Sequence, residues 1–291
     1  MTPASVVSRV LRWYDEHARD LPWRHPAVGA WPVLVSEFML QQTPVERVLE
    51  PWGRWVDRWP RPSALAAAPA GEAVRAWGRL GYPRRALRLH QAATVIAAEH
   101  DDEVPADHAQ LLRLPGVGSY TAAAVLSFAY GQRHVVLDTN VRRVLARVAA
   151  GVAYPGPVPT AAETLLASAY LPRQPARAAR WAVASMELGA VVCTARSPRC
   201  AECPVRSQCA WRRAGYPAWD GPPRRGQSYA GTDRQCRGVL LGVLRSTDGP
   251  VAGDELDRSW PEAEQRMRAL QSLVADGLAV PSADGAYVLP H

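Results

Sequence analysis

Residues 111–130 read LLRLPGVGSYTAAAVLSFAY. Pro115, Gly116 and Gly118 force a tight turn between two apolar helical stretches. The turn delivers the chain to a helix N-terminus, where unpaired backbone N–H groups and the macrodipole favour an anion. Leu114, Gly116 and Gly118 therefore form a candidate phosphate hairpin. Such a hairpin grips a phosphodiester through the backbone and reads no sequence. An ordinary helix–turn–helix corner would fit the LPG string as well.

Outward from the hairpin, apolar residues recur at helical spacing. Helices are expected over 5–18, 31–42, 44–59, 84–99, 119–130, 137–149 and 177–191, with Pro or Gly in most of the gaps. No period-2 run interrupts them, so the fold class is mostly α. Composition shifts to Gly, Pro and Arg over 213–232, and 216–232 is read as a linker. Beyond it, 233–291 gives three helix candidates: 233–244, 253–260 and 261–275, the last with Pro261 in its first turn. Alternation around Asp284–Gly285 then suggests a hairpin. That order is winged-helix-like; a small helical cap on the main domain is the competing reading.

The chain has 291 residues and a net charge of +7, and all 34 basic residues are Arg. With no Lys, a lysine Schiff base and a P-loop are excluded. A GC-rich coding bias accounts for part of that Arg excess. No apolar run approaches the length of a membrane span. Arg9 and Arg12 interrupt the N-terminus where a signal peptide needs an apolar stretch, so a cytoplasmic protein is expected.

Cys193, Cys200, Cys203 and Cys209 follow the pattern C-x6-C-x2-C-x5-C. Four thiolates can close a tetrahedral zinc site or hold an iron–sulfur cluster. A single close pair flanked by longer gaps tilts toward iron, and spacing alone leaves both open. Arg196, Arg199, Arg206, Arg212 and Arg213 make the surrounding loop basic. Cys236, further along, reads as a small buried apolar residue.

Two acids stand out. Glu37 lies in WPVLVSEFMLQQT, where an embedded carboxyl must be bonded or protonated. Burial would raise its pKa, as a general acid near neutral pH requires. Asp138 opens LDTNVRRVLAR in the position of a helix N-cap. Taken singly, a core acid and a cap are sufficient readings of the two.

Taken together, SEFMLQQT, RLGY, LPGVGSYTA, LDTNVRRVLAR and the cysteine loop resemble the iron–sulfur branch of the helix-hairpin-helix DNA glycosylase superfamily, related to endonuclease III. The likeness covers about 5–215 and is nearest the MutY-type adenine DNA glycosylases. It implies a glycosylase domain over 1–215: a barrel lobe of about 30–133, a second lobe of 1–29 plus 134–192, and an iron–sulfur loop over 193–209, with DNA gripped across the groove between the lobes. It implies a monomer acting on double-stranded DNA that contains an adenine mispaired with 8-oxoguanine or guanine. It implies one [4Fe-4S] cluster on the four cysteines. Glu37 would protonate the flipped adenine, and Asp138 would stabilise the oxocarbenium-like sugar. Leu40, Gln41, Gln42, Thr43 and Tyr82 would fill the gap and touch the opposite base. Asn140 would support Asp138, and Arg24 would line the adenine pocket.

The pattern also departs from its relatives. Tyr120 stands where endonuclease III enzymes place a Schiff-base lysine, so a monofunctional glycosylase is expected. The tail is too short for the β domain with which longer members read 8-oxoguanine. Val183 is apolar where some relatives place a polar adenine contact. A thymine or uracil mismatch glycosylase, or a non-catalytic iron–sulfur DNA-binding protein, are the alternatives.

Overall fold

A computed structural model describes residues 2–221, 229–283 and 285–291. In chain order the helices are α1 (Pro3–His17), α2 (Ala30–Leu40), α3 (Val45–Arg58), α4 (Pro62–Ala66), α5 (Ala70–Trp77), α6 (Arg84–Glu99), α7 (His108–Arg113) and α8 (Ser119–Phe128). They continue with α9 (Thr139–Leu145), α10 (Ala161–Tyr170), α11 (Pro175–Val191), α12 (Ala210–Arg213), α13 (Asp233–Ser246), α14 (Gly253–Ser259) and α15 (Ala263–Ala275). Two short strands, β1 (Val280–Pro281) and β2 (Tyr287–Val288), follow. The fold is mostly helical, as expected. No helix among the described residues is long and apolar enough to cross a membrane.

The chain forms two compact units. The first comprises Met1–Val33, Ala106–Leu112 and Val117–Pro223. Its core sets Val6, Val7, Val10 and Leu11 of α1 against Val141, Val144 and Leu145 of α9 and Trp181 and Leu188 of α11. Each such buried side chain contributes about 1.5–3 kcal/mol. Within this unit Ala123 and Ala124 of α8 share a buried cluster with Ala182 of α11.

The second unit comprises Leu34–Pro105, Arg113–Gly116 and Arg224–His291. Trp55 lies edge-on to Trp59 and Trp77, with centroids 4.7 and 5.6 Å apart. Leu65, Val74, Leu89 and Ile96 of the same unit are fully buried. The last sixty residues belong to this unit. Leu240, Leu241 and Leu244 of α13 are buried with Leu256 of α14 and Leu273 of α15. β1 pairs antiparallel with β2, Val280 facing Val288, and Val251 bridges to Tyr287. The turn expected at Asp284–Gly285 rests on Asp284, which lies outside the described residues, as does 222–228 of the expected linker. Pro261 stands outside α15, whose N-cap is Glu262, and not in its first turn.

The tail is held to the helices before it through backbone groups. Gly71 N–H donates to Pro290 O at 2.6 Å, and a Cβ at Gly71 would lie 2.5 Å from that oxygen. Arg245 donates to Val74 O and Gly78 O, and Arg75 donates to Arg245 O and Thr247 O.

Candidate active site

Helix α2 is apolar on nearly every face, so it is buried all round. Glu37 lies in its middle and is 5% exposed. The helix ends at Leu40, half-buried, and the chain turns through Gln41, Gln42 and Thr43. One buried guanidinium organises that turn. Arg85 donates to Phe38 O at 2.8 Å and Met39 O at 3.2 Å, carbonyls of the last turn of α2, and to Gln41 O just beyond it at 2.6 Å. It also reaches Thr43 Oγ1 at 3.1 Å and Gly81 O at 3.0 Å. Thr43 Oγ1 in turn donates to Leu80 O at 3.2 Å. The QQT turn and the Gly81–Tyr82 turn are thereby fastened together. Burial pushes the Arg85 pKa down to about 10, which leaves it charged at neutral pH. Gln42 (φ 55°) and Tyr82 (φ 48°) both occupy the left-handed region, and Tyr82 remains 41% exposed. Backbone strain of this kind gathers where a side chain must be aimed.

The hairpin glycines differ in what they do. Gly116 has φ +81°, and a Cβ there would lie 2.8 Å from the Phe38 ring and from Arg88 Cβ. Leu114 beside it is buried. Gly118 has an extended φ of −98° and open space around its Cβ position, so its backbone does not demand glycine. Among the described residues, no side chain caps α8 at Gly118, and a helix N-terminus favours an anion. Tyr120, half-buried, packs against the buried cluster of Ala123, Ala124, Val136 and Ala182.

Asp138 is the N-cap of α9. It accepts from Val141 N–H at 2.6 Å on one oxygen and from Asn140 Nδ2 at 2.7 Å on the other. Burial raises its pKa, while those bonds and the nearby Arg143 oppose the rise. Arg143 continues the chain of contacts. It donates to Asn140 Oδ1 at 2.7 Å, Gly189 O at 2.7 Å and Cys193 O at 2.8 Å. An unbroken hydrogen-bonded path thus runs from the first cysteine of the loop to Asp138. It requires α11 close to α9: a Cβ on Gly189 would lie 2.6 Å from Asn140 Cβ.

The composition of α11 conceals a second acid. Glu187, in WAVASMELG, is fully buried, one turn beyond the half-buried Val183. Arg19 Nε and Arg24 Nη2 donate to it at 2.7 and 2.8 Å. Burial pushes its pKa up, and the two guanidinium groups more than reverse that, holding it at about 2. Among the described residues Arg24 Nη1 is buried with no hydrogen-bond partner, a donor available to an acceptor. The signal that singles out Glu37, an acid inside an apolar helix, marks Glu187 equally.

The four loop cysteines line one cavity with Arg147, Leu188 and Trp211. Among the described residues no three His, Cys, Asp or Glu side chains are close enough for a single metal ion. The donor set in this cavity, four cysteines with no carboxylate or imidazole, fits an iron–sulfur cluster. Burial, and then the neighbouring cysteines, push the Cys203 thiol up to about 12, and burial raises Cys209. Binding of a cationic centre would have to displace those protons. Arg147 is 1% exposed and lies between Trp211 and Tyr154, 4.7 and 5.4 Å from their centroids. It donates to Cys193 Sγ at 3.4 Å, Thr194 O at 2.7 Å and Ala195 O at 3.0 Å, and among the described residues it meets no carboxylate. Arg196, Arg199, Arg206, Arg212 and Arg213 are exposed around this loop. Cys236 is buried in the tail, with Sγ 4.0 Å from Gln265 O.

A sequence profile described as HhH-GPD superfamily base excision DNA repair protein matches residues 35–166. A second, the iron–sulfur binding domain of endonuclease III, matches residues 193–209. The chain is 57% identical to adenine DNA glycosylase of Mycobacterium tuberculosis, over 97% of this chain and 93% of that protein. It is 55% identical to adenine DNA glycosylase of Mycolicibacterium smegmatis, over 96% and 94%. It is 42% identical to the human adenine DNA glycosylase over 70% of this chain and 39% of that one. Among solved structures, a thermostable thymine-DNA glycosylase superposes with a TM-score of 0.65 at 26% identity, over 73% of this chain and 97% of that one. A non-covalent endonuclease III–DNA complex shares the fold, with a TM-score of 0.62 at 22% identity, over 74% and 98%.

Proposed function

The chain belongs to the adenine DNA glycosylases of the HhH-GPD superfamily, and from that premise we propose that it excises adenine mispaired with 8-oxoguanine or guanine in double-stranded DNA. The reaction hydrolyses the N-glycosidic bond of an extruded nucleotide. The observation that carries this reading is the near-full-length likeness to adenine DNA glycosylases.

Glu37 protonates a ring nitrogen of adenine and so improves the leaving group. Its apolar helix withholds water from the carboxyl. Asp138, as a carboxylate, stabilises the positive charge that develops on the sugar. Val141 N–H and Asn140 hold it by one oxygen each, and Arg143 fixes Asn140. Arg24 lines the adenine pocket with the donor that Glu187 leaves unused. Leu40, Gln41, Gln42, Thr43 and Tyr82 fill the gap and touch the opposite base. Leu114, Gly116, Gly118 and the open N-terminus of α8 hold a backbone phosphate. Cys193, Cys200, Cys203 and Cys209 ligate one [4Fe-4S] cluster, whose contribution is to pin the loop and the arginines anchored to it. Tyr120 replaces the Schiff-base lysine, so water supplies the hydroxyl that ends up on the sugar as adenine leaves. The enzyme works as a bacterial, nucleoid-associated cytoplasmic monomer, with 233–291 a winged-helix-like module.

The test is a base-release assay on duplexes pairing adenine, thymine or uracil with guanine or 8-oxoguanine. Release of adenine alone, with strand breakage only after alkali, is the expected result. Release of thymine or uracil from guanine pairs, or efficient borohydride trapping of a protein–DNA adduct, would overturn it.

A further inference from the structure

A groove of about 1580 Å³ opens within the second unit. One wall holds Gln41, Gln42 and the turn through Gly81 and Tyr82; the other is helix α13 of the tail. Its charge is one-sided. Asp276 is the one acid among the described lining residues, and Arg84 and Arg237 already neutralise it at 3.3 and 2.6 Å. Arg47, Arg79 and Arg234 line the groove, are exposed, and among the described residues have no carboxylate partner. Three exposed arginines without counter-ions around one groove make a seat for phosphate.

The tail is tied into this site. Arg234 lies over the Tyr82 ring, 4.9 Å from its centroid, and over Tyr229 at 5.9 Å. Two aromatic rings sharing one guanidinium give a surface on which a base can stack while a phosphate is held beside it. The α13 wall carries Gly238 and Gly242, and a Cβ at Gly242 would meet nothing within 4 Å. Glycines in a helix interior cost stability, and here they keep the wall low.

We propose that this groove receives the DNA strand carrying the base opposite the excised adenine, with Arg234 of the tail holding its backbone against the Tyr82 turn. The proposal rests on the glycosylase reading above, because that reading makes Gln41, Gln42 and Tyr82 the residues that meet the opposite base. The tail is then part of the DNA site and not an appended cap. Arg234 and Tyr229 become residues that bear on which opposite base is accepted.

The experiment measures affinity of the intact protein for a short duplex with adenine opposite guanine or 8-oxoguanine, across a salt series. Arg234→Glu should weaken binding by about tenfold or more and lower the log–log salt slope by roughly one. Gly242→Leu, which narrows the groove without changing charge, should also weaken binding. Arg258→Glu, an exposed charge change on α14 outside the groove, should bind as the wild type does. Thermal melting checks that each variant is folded. Wild-type affinity and slope in Arg234→Glu would overturn the proposal, as would wild-type affinity in a folded Gly242→Leu. Failure of the unaltered protein to release adenine would instead sink the glycosylase reading, so the two failures are distinguishable.

Discussion

At the scale of single residues, Asp138 stands between opposing effects on its charge, and the proposed chemistry needs it as a carboxylate. Burial raises its pKa, and the bonds from Val141 and Asn140 oppose the rise. Asn140→Ala removes one of those bonds, so the pKa climbs further. Single-turnover adenine release should fall on the order of 10- to 100-fold, and the acid limb of its pH profile should move to higher pH. An unmoved limb would show that Asn140 does not act through Asp138. Glu187 runs the other way. Its pKa is about 2 in the fold against an ordinary 4.5, so its stabilisation is fully present above pH 4.5 and is lost as pH falls toward 2. The loss should be about 3 kcal/mol, read by denaturant titration at each pH, and Glu187→Gln should flatten that dependence. The capping position of Asp138 was legible because a cap is local. Arg85, Arg147 and Glu187 were not singled out, because what each does depends on partners distant in sequence: Arg85 on the end of α2, Arg147 on Cys193, Glu187 on Arg19 and Arg24.

At the scale of elements, the two hairpin glycines should separate cleanly. Gly116→Ala meets both a positive φ and the Phe38 ring, and should cost about 1–3 kcal/mol of stability and weaken DNA binding. Gly118→Ala, with an extended backbone and free space, should melt within a degree or two of the wild type. A single thermal-melting comparison checks both. The long periodic helices were readable to within about two residues at most ends, since burial of one face repeats along the chain. The shorter α4, α5, α7, α10 and α12 went unread. Helix α10 did carry a sign: Thr160 and Glu163 form a capping box, and Glu163 also binds the buried Arg142 at 2.8 Å. Helix α9 begins one residue after its cap, and its continuation through Ala146–Ala150 widens into a π-helical turn that the 3.6-residue period could not foretell.

At the scale of the whole molecule, the grouping of the tail with 34–105 was the least legible feature. It rests on guanidinium-to-carbonyl bonds of Arg75 and Arg245, which leave no pattern in either segment. The net charge of +7 was legible and predicts a steep fall of DNA affinity with rising salt, measurable by fluorescence anisotropy; a flat response would remove phosphate contacts as the main source of binding. Chelation or oxidative stripping of the metal centre should disorganise 193–209 and release the Cys193 carbonyl that anchors Arg143. Stripped protein should therefore lose base release and melt earlier, with iron content and circular dichroism read on the same sample.

Arg147 carries the last consequence. A buried guanidinium beside two aromatic rings, with backbone oxygens and a cysteine sulfur for company, would take its balancing negative charge from the thiolates once they hold a cluster. A freshly made polypeptide that never receives its inorganic core would strand that cation. The surrounding segment would then open to water and to cellular proteases, and iron supply would set how many copies survive.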